Sequence, residues 1–197
     1  VGGGLLVRGR LELVDSWVRA NSADGDGGGI AGDVVRLTDS KVSSNTSADY
    51  HSHGGGGIFA DTVLARRSTI AGNHLTWTHH NYSVGRDAGG VYAARSLSVV
   101  NSTISGNAVT GRGAGGGIRT ARGAPVLLSH ATVVRNSAPI ASNVDAGGLL
   151  DSDRSVIAER YGRGSDCRVR GGARSGGVDV EGGAPWRPAG GGRLPRG

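Results

Sequence analysis

The sequence predicts an all-β fold assembled from repeats, and three observations carry that expectation. A motif of glycines, alternating aliphatics and a closing asparagine recurs along most of the chain. Within it an i, i+2 apolar alternation persists from copy to copy, whereas no helical period does. Glycine accounts for 38 of 197 residues while aromatics are only 4%, so any core is narrow and aliphatic. Collagen is excluded, because glycine does not recur every third residue and there are only 5 prolines. No apolar run approaches the ~20 residues that a membrane-crossing helix needs.

The copies run from Gly2 to Asn21, Gly27 to Asn45, Gly55 to Asn73, Gly89 to Asn107 and Gly115 to Asn136. A sixth opens at Gly147 and decays after Arg160. Each complete copy holds two apolar residues two apart and a third placed three before its asparagine. These are Leu11, Leu13 and Val18; Val35, Leu37 and Val42; Val63, Ala65 and Ile70; Leu97, Val99 and Ile104; Val126, Leu128 and Val133. Asn and Gly tolerate left-handed backbone, which suits strands that turn at fixed corners. If each copy is one coil, equivalent strands stack in parallel about 4.8 Å apart, and six coils make a rod about 30 Å long. The expected fold is thus a parallel β-helix solenoid of about six coils over residues 1–160. In it Asn21, Asn45, Asn73, Asn107 and Asn136 form a stacked ladder, because buried amides must be satisfied and identical turns satisfy them. Residues 161–197 hold 12 glycines, 3 prolines and a net charge of +4, and read as a flexible, disordered tail.

Charge narrows the partners. The net charge is +6, but residues 1–160 are nearly balanced, with 15 basic and 13 acidic groups. They show no basic stripe interleaved with aromatics, so no nucleic-acid partner is expected. The lone Cys167 allows neither an internal disulfide nor a thiolate metal cluster. The chain opens at Val1 with no signal peptide, and is expected to be a fragment or processed product.

Candidate chemistry lies at two places. The stretch between each asparagine and the next glycine pair varies from 5 to 15 residues, which marks a loop-bearing edge. Loops Thr46–His53, with Asp49, His51 and His53, and His74–Ala88, with His79 and His80, would leave adjacent coils there. Imidazole and carboxylate suit zinc, although the spacing follows no established ligand motif. The run Asp24–Gly29 resembles a calcium-binding Gly/Asp turn but lacks the nonapeptide repeat, so no cofactor is required by the sequence. Second, Asp15 and Asp39 occupy equivalent outward positions on successive coils, where proximity would drive their pKa values apart as acid/base work requires. Arg36, Lys41 and Arg67 stand nearby as base or substrate clamp. The alternative is a solvated charge ladder in which Lys41 and Arg67 relieve the carboxylate repulsion.

The segments Arg67–Asn73 (RSTIAGN) and Asn101–Asn107 (NSTISGN), each preceded by GGGI or GGV, resemble the repeats of bacterial right-handed parallel β-helix surface proteins. These are similar to polymorphic outer-membrane-protein repeats and to the pectin-lyase-like superfamily. The resemblance covers about residues 2–157 and implies the right hand, which the general crossover rule also favours. It implies a secreted or cell-surface bacterial protein with a structural or adhesive role, and an extracellular polysaccharide as partner. The alternative it implies is a polysaccharide lyase or glycoside hydrolase relative acting on acidic glycans. Such enzymes use clustered carboxylates, or an Arg or Lys base with calcium held by acids. Neither motif is present residue by residue, so no catalytic residue carries over. Fold alone does not choose between these functions, and the oligomeric state is left open.

Overall fold

The computed structural model describes residues 2–49, 53–77, 86–111, 113–161 and 164–179. Among these the fold is all-β, without helices, and strands pair only in parallel. A large sheet runs through Leu5–Val14, Ile30–Thr38, Ile58–Arg66, Val91–Val100, Val126–Ser129 and Leu150–Ala158. From that last strand it returns through Thr132–Val134, Thr103–Ser105, Thr69–Ala71, Lys41–Ser43 and Trp17–Arg19, so the sheet curls back on itself. Among the described residues no helix is long and apolar enough to cross a membrane.

The register follows the alternation. Leu11 pairs with Val35, Val35 with Val63, Leu97 with Val63 and with Val126, so one aliphatic column runs through five repeats. Val18, Val42, Ile70, Ile104, Val133 and Ile157 form a second. Thirteen of the fifteen expected core residues are buried, and Leu11 and Leu13, in the first repeat, pack against them half-buried. Burying a Val, Leu or Ile side chain contributes about 1.5–3 kcal/mol, which explains how a sheet almost free of rings coheres.

The asparagines close the second column. Each donates its side-chain amide to the Oδ1 of the next, at 2.9 Å from Asn21 to Asn45, Asn45 to Asn73 and Asn73 to Asn107, and at 3.0 Å from Asn107 to Asn136. The backbone N–H of Asn45 reaches the same Asn73 oxygen at 3.0 Å, and its second amide proton goes to the Val18 carbonyl. The ladder leaves no room for a side chain on the glycine beside it. A Cβ on Gly57 would sit 2.9 Å from Asn73 Cγ and 2.7 Å from the Gly90 carbonyl oxygen.

Four details depart from the expectation. The left-handed residue is not the ladder asparagine but the one before it: Ala20, Ser44, Gly72, Gly106, Arg135 and Glu159 all have φ between 51° and 64°. A third strand follows the ladder, since Ser22–Ala23, Thr46–Asp49, His74–Trp77 and Ala108–Thr110 make a four-stranded parallel sheet where the variable loops are expected to begin. Its inward residues, Ala23, Ser47, Leu75 and Val109, mix polar with apolar and so carry no clear pattern. Residues 164–179, which read as tail from composition, hold the strands Cys167–Val169 and Ala173–Asp179, and these pair with the repeat before them. Residues 162–163 and 180–197 of the expected tail lie outside the described residues.

Fourth, the sixth repeat opens at Asn143–Val144 rather than at Gly147, because Val144 pairs with Ile118 of the preceding glycine motif. Asn143 therefore stands where earlier repeats have glycine, and Arg160 stands at the ladder position. The exchange is self-consistent. With no ladder amide beside it, position 143 tolerates a side chain, and that side chain supplies the missing amide. Asn136 donates to Asn143 Oδ1 at 2.9 Å, and Asn143 donates to Asp166 Oδ1 at 3.1 Å.

Candidate functional site

A second polar column marks the corner between the two runs of the sheet. Ser16, Ser40 and Ser68 each donate a backbone N–H to the next serine's Oγ, at 3.1, 3.1 and 2.9 Å, and Ala131 does so to Ser155. Each Oγ in turn donates to the carbonyl two residues before it, as Ser40 does to Thr38. The residue preceding every serine is left-handed: Asp15, Asp39, Arg67, Asn101 and Arg154 have φ between 45° and 49°. Left-handed backbone is costly for an L-residue, so the serine bonds hold this corner open and fix where Asp15, Asp39 and Arg67 project.

At that corner Asp39 and Arg67 form a two-pronged pair, with Nε and one terminal nitrogen each 2.7 Å from a carboxylate oxygen. Arg67 holds the Asp39 carboxyl below the ordinary carboxylate range, chiefly by this hydrogen bond, and Asp39 raises Arg67 in return. Asp39 is thereby kept ionised and occupied. Arg36 lies on the outer face of Ile30–Thr38, 3.9 Å from Glu12. Lys41 lies on the following short strand, with its Nζ 5.6 Å from the centre of the Trp17 ring. Four of the five expected acid/base residues are thus divided among three local partnerships, and Asp15 acts on Arg67 only through its charge, the smallest of the influences that raise it. Asp49 and His53 fall within strands, but their side chains lie outside the described residues, and His51, His79 and His80 lie outside them entirely. Among the described residues no three His, Cys, Asp or Glu side chains gather to hold a metal ion.

The densest chemistry is elsewhere, in the column following the first inward aliphatic of each repeat. Register runs it through Ala31, Phe59, Tyr92, Arg119, Asp145 and Arg168. Alternation would send all of these outward, yet Tyr92 is 2% exposed, Arg119 8% and Asp145 0%. Phe59 and Tyr92 stack with centroids 5.1 Å apart and planes 12° from parallel. Beyond the aromatics the column turns to charge. Arg168 grips Asp145 with two hydrogen bonds of 2.8 and 2.6 Å, and Arg170 approaches the same carboxylate at 3.3 Å. Arg119 bridges Asp145 at 3.3 Å and Asp87 at 3.4 Å. Asp87 arrives from Arg86–Ala88, a strand paired with His53–Gly55 outside the large sheet.

Buried charges persist only when paired, and this cluster pairs three guanidiniums with two carboxylates. Burial pulls Arg119 below the usual guanidinium range, while Asp145 and then Asp87 push it back up. A guanidinium is not deprotonated in proteins, so Arg119 acts as a fixed positive charge. Arg119 and Arg170 of this cluster line a cleft of about 940 Å³ together with Tyr92, Arg122 and the glycines at 147–148. Among the described residues the cluster holds one guanidinium more than it has carboxylates, and Arg122 is exposed at the rim, so the charge here suits an acidic group. A column-by-column alignment of the repeats carries the signal for it, an Arg–Asp–Arg run at one position of successive copies. The displaced start of the sixth repeat hides that run.

No family model, curated protein or solved structure matches the chain.

Proposed function

We propose that the chain is a right-handed parallel β-helix segment of a secreted or cell-surface bacterial protein, with a structural or adhesive role. The observation that carries this reading is the unbroken asparagine column, which ties each repeat to the next through the same buried bonds. A column of that kind supports a stack of repeats in which each contacts its neighbours alone. The right hand is supported by the strong preference of parallel strand crossovers. Loops that vary in length at one edge suit display of a binding surface on a stiff support. The test is retention: the chain displayed on a non-adherent bacterium should hold cells to surfaces coated with extracellular polysaccharide. Retention no better than that of cells without it would remove the adhesive role.

The second reading, a lyase or hydrolase relative acting on acidic glycans, is favoured by Arg119 and Arg122 of one repeat and Arg170 of another, which meet at the 940 Å³ cleft. Incubation with polyuronates, followed by assay for new reducing ends and unsaturated products, decides it. Product formation that disappears in Arg170→Ala would establish catalysis at the cleft.

A further inference from the structure

We infer that Trp17, Arg19 and Lys41 form a binding site for an anionic sugar, distinct from the arginine cleft. This deepens the adhesive reading and rests on it. Trp17 is 66% exposed, the most exposed large apolar side chain among the described residues. Two cations lie over its ring, the Arg19 guanidinium carbon 5.3 Å and the Lys41 Nζ 5.6 Å from the ring centre. The strand register builds the group, because Trp17 sits directly opposite Lys41, and Arg19, two residues on, faces the same way. These side chains line a hollow of about 520 Å³ together with Ala20, Ser43 and Ser44.

The stacked repeats do not call for a tryptophan here. The same column continues through Thr69, Thr103, Thr132 and Val156, the small β-branched residues that suit an outer strand face. Nor do carboxylates account for the cations. Among the described residues Arg19 and Lys41 form no ion pair, although Arg67, Arg95 and Arg135 all do. Two cations held around an exposed ring, without an acid to neutralise them, leave positive charge beside an apolar plane. Ser43 and Ser44 add hydroxyls that both donate and accept. A pyranose bearing a carboxylate or sulfate meets each element: its C–H face lies on the part of the indole that the cations leave exposed, its anion meets Arg19 and Lys41, and its hydroxyls meet the serines. The hollow is concave and small, which suits one or two sugar units better than a flat lipid surface.

The test is titration calorimetry of the full chain with trigalacturonate, a sulfated galactan tetrasaccharide and uncharged cellotetraose. One or both anionic probes should bind and cellotetraose should not, and the arm that responds tells carboxylate from sulfate. Trp17→Ala should weaken binding by about tenfold or more, as loss of a central aromatic anchor does. The double variant Arg19→Gln, Lys41→Gln should weaken it comparably and flatten its salt dependence. All these side chains are surface groups, so unchanged melting curves should accompany both variants. Should Trp17→Ala fail to fold, the double variant decides alone. No heat with either anionic probe, equal binding of cellotetraose, or unchanged affinity in the variants would each overturn the site. Displayed cells separate the two ideas: if Trp17→Ala cells are retained like the parent, the site falls and the adhesive reading stands. If the parent itself is not retained, the adhesive reading falls, and calorimetry judges the site independently.

Discussion

The asparagine corner and the column that follows the glycine motif solve opposite problems with the same repeat. At the corner one residue type is used again and again, because a primary amide both donates and accepts and so bonds to a copy of itself. In the other column the residue changes at nearly every step, from Ala31 through Phe59 and Tyr92 to Arg119, Asp145 and Arg168. There each side chain answers to its particular neighbours, and charge has to alternate to be buried at all. Identity along a stack signals a device that propagates. Variation along a stack that is nevertheless buried signals a local site. The corner also shows how propagation ends, since Asp166 accepts from Asn143 but its carboxylate has no proton to pass on.

Substitutions can challenge this contrast at several depths, and the largest effect belongs to the aliphatic column that both regions lean on. Ile104 is fully buried between Ile70 and Val133, so Ile104→Asp would place an unpaired charge in the core. The expected outcome is loss of the cooperative thermal transition and of the far-ultraviolet β signal. Next comes Asp145→Asn, which strips three arginines of their shared counter-charge. A cost of about 3 to 5 kcal/mol is expected from denaturant unfolding, the usual penalty for orphaning one side of a buried ionic group. If the column of changing residues were merely a covered surface, this variant would unfold like the parent.

Asn73→Ala should cost about 1 to 3 kcal/mol, because the backbone N–H and one side-chain N–H of Asn45 lose the Oδ1 that receives them. Asn21→Ala, at the first rung, should cost less than Asn73→Ala. Equal melting temperatures for the two variants would mean that the ladder does not act rung by rung.

Acidity probes the end of the ladder. Burial raises the Asp166 carboxyl above its ordinary range, outweighing Arg160 and the Asn143 hydrogen bond. A carboxyl whose pKa is higher folded than unfolded takes up a proton on folding between those two values. Its contribution therefore favours folding as pH falls through the raised pKa, and opposes folding at neutral pH. Asp166→Asn should accordingly be more stable than the parent at pH 7, with the difference shrinking on acidification. A difference that grows with acidity would reverse the assignment. The smallest effect is expected at the exposed corner. The Asp39 carboxyl is lowered by Arg67, so that pair favours folding above the ordinary carboxylate range and loses its contribution as pH falls through the lowered value. Because both groups are solvated, Asp39→Asn should shift the melt at pH 7 only marginally.

Much of this architecture is legible in the amino-acid sequence. The aliphatic triplets and the asparagine column announce themselves, because a buried stack admits few residue types and repetition exposes them. The serine column is hidden by its gap at Ala131, and by the ease with which serine is read as a generic turn residue. The third strand is hidden because Ser47 and Ala23 share their inward positions with Leu75 and Val109. The start of the sixth repeat is hidden because an asparagine stands at its glycine position and an arginine at its ladder position.

The all-β class, the inward set and the repeating rungs follow from residue order alone, since alternation and repetition are local properties that survive without knowledge of neighbours. Which outward residues are enclosed is a matter of the assembled fold. Asp87 and Arg119 lie 32 positions apart in the chain and meet because a strand outside the large sheet lays one against the other. Copies of 24, 28, 34 and 29 residues align only through the hydrogen bonds between them, and that alignment brings Arg119, Asp145 and Arg168 into one column. Burial of a charge depends on everything that surrounds it, which no spacing along a single repeat records.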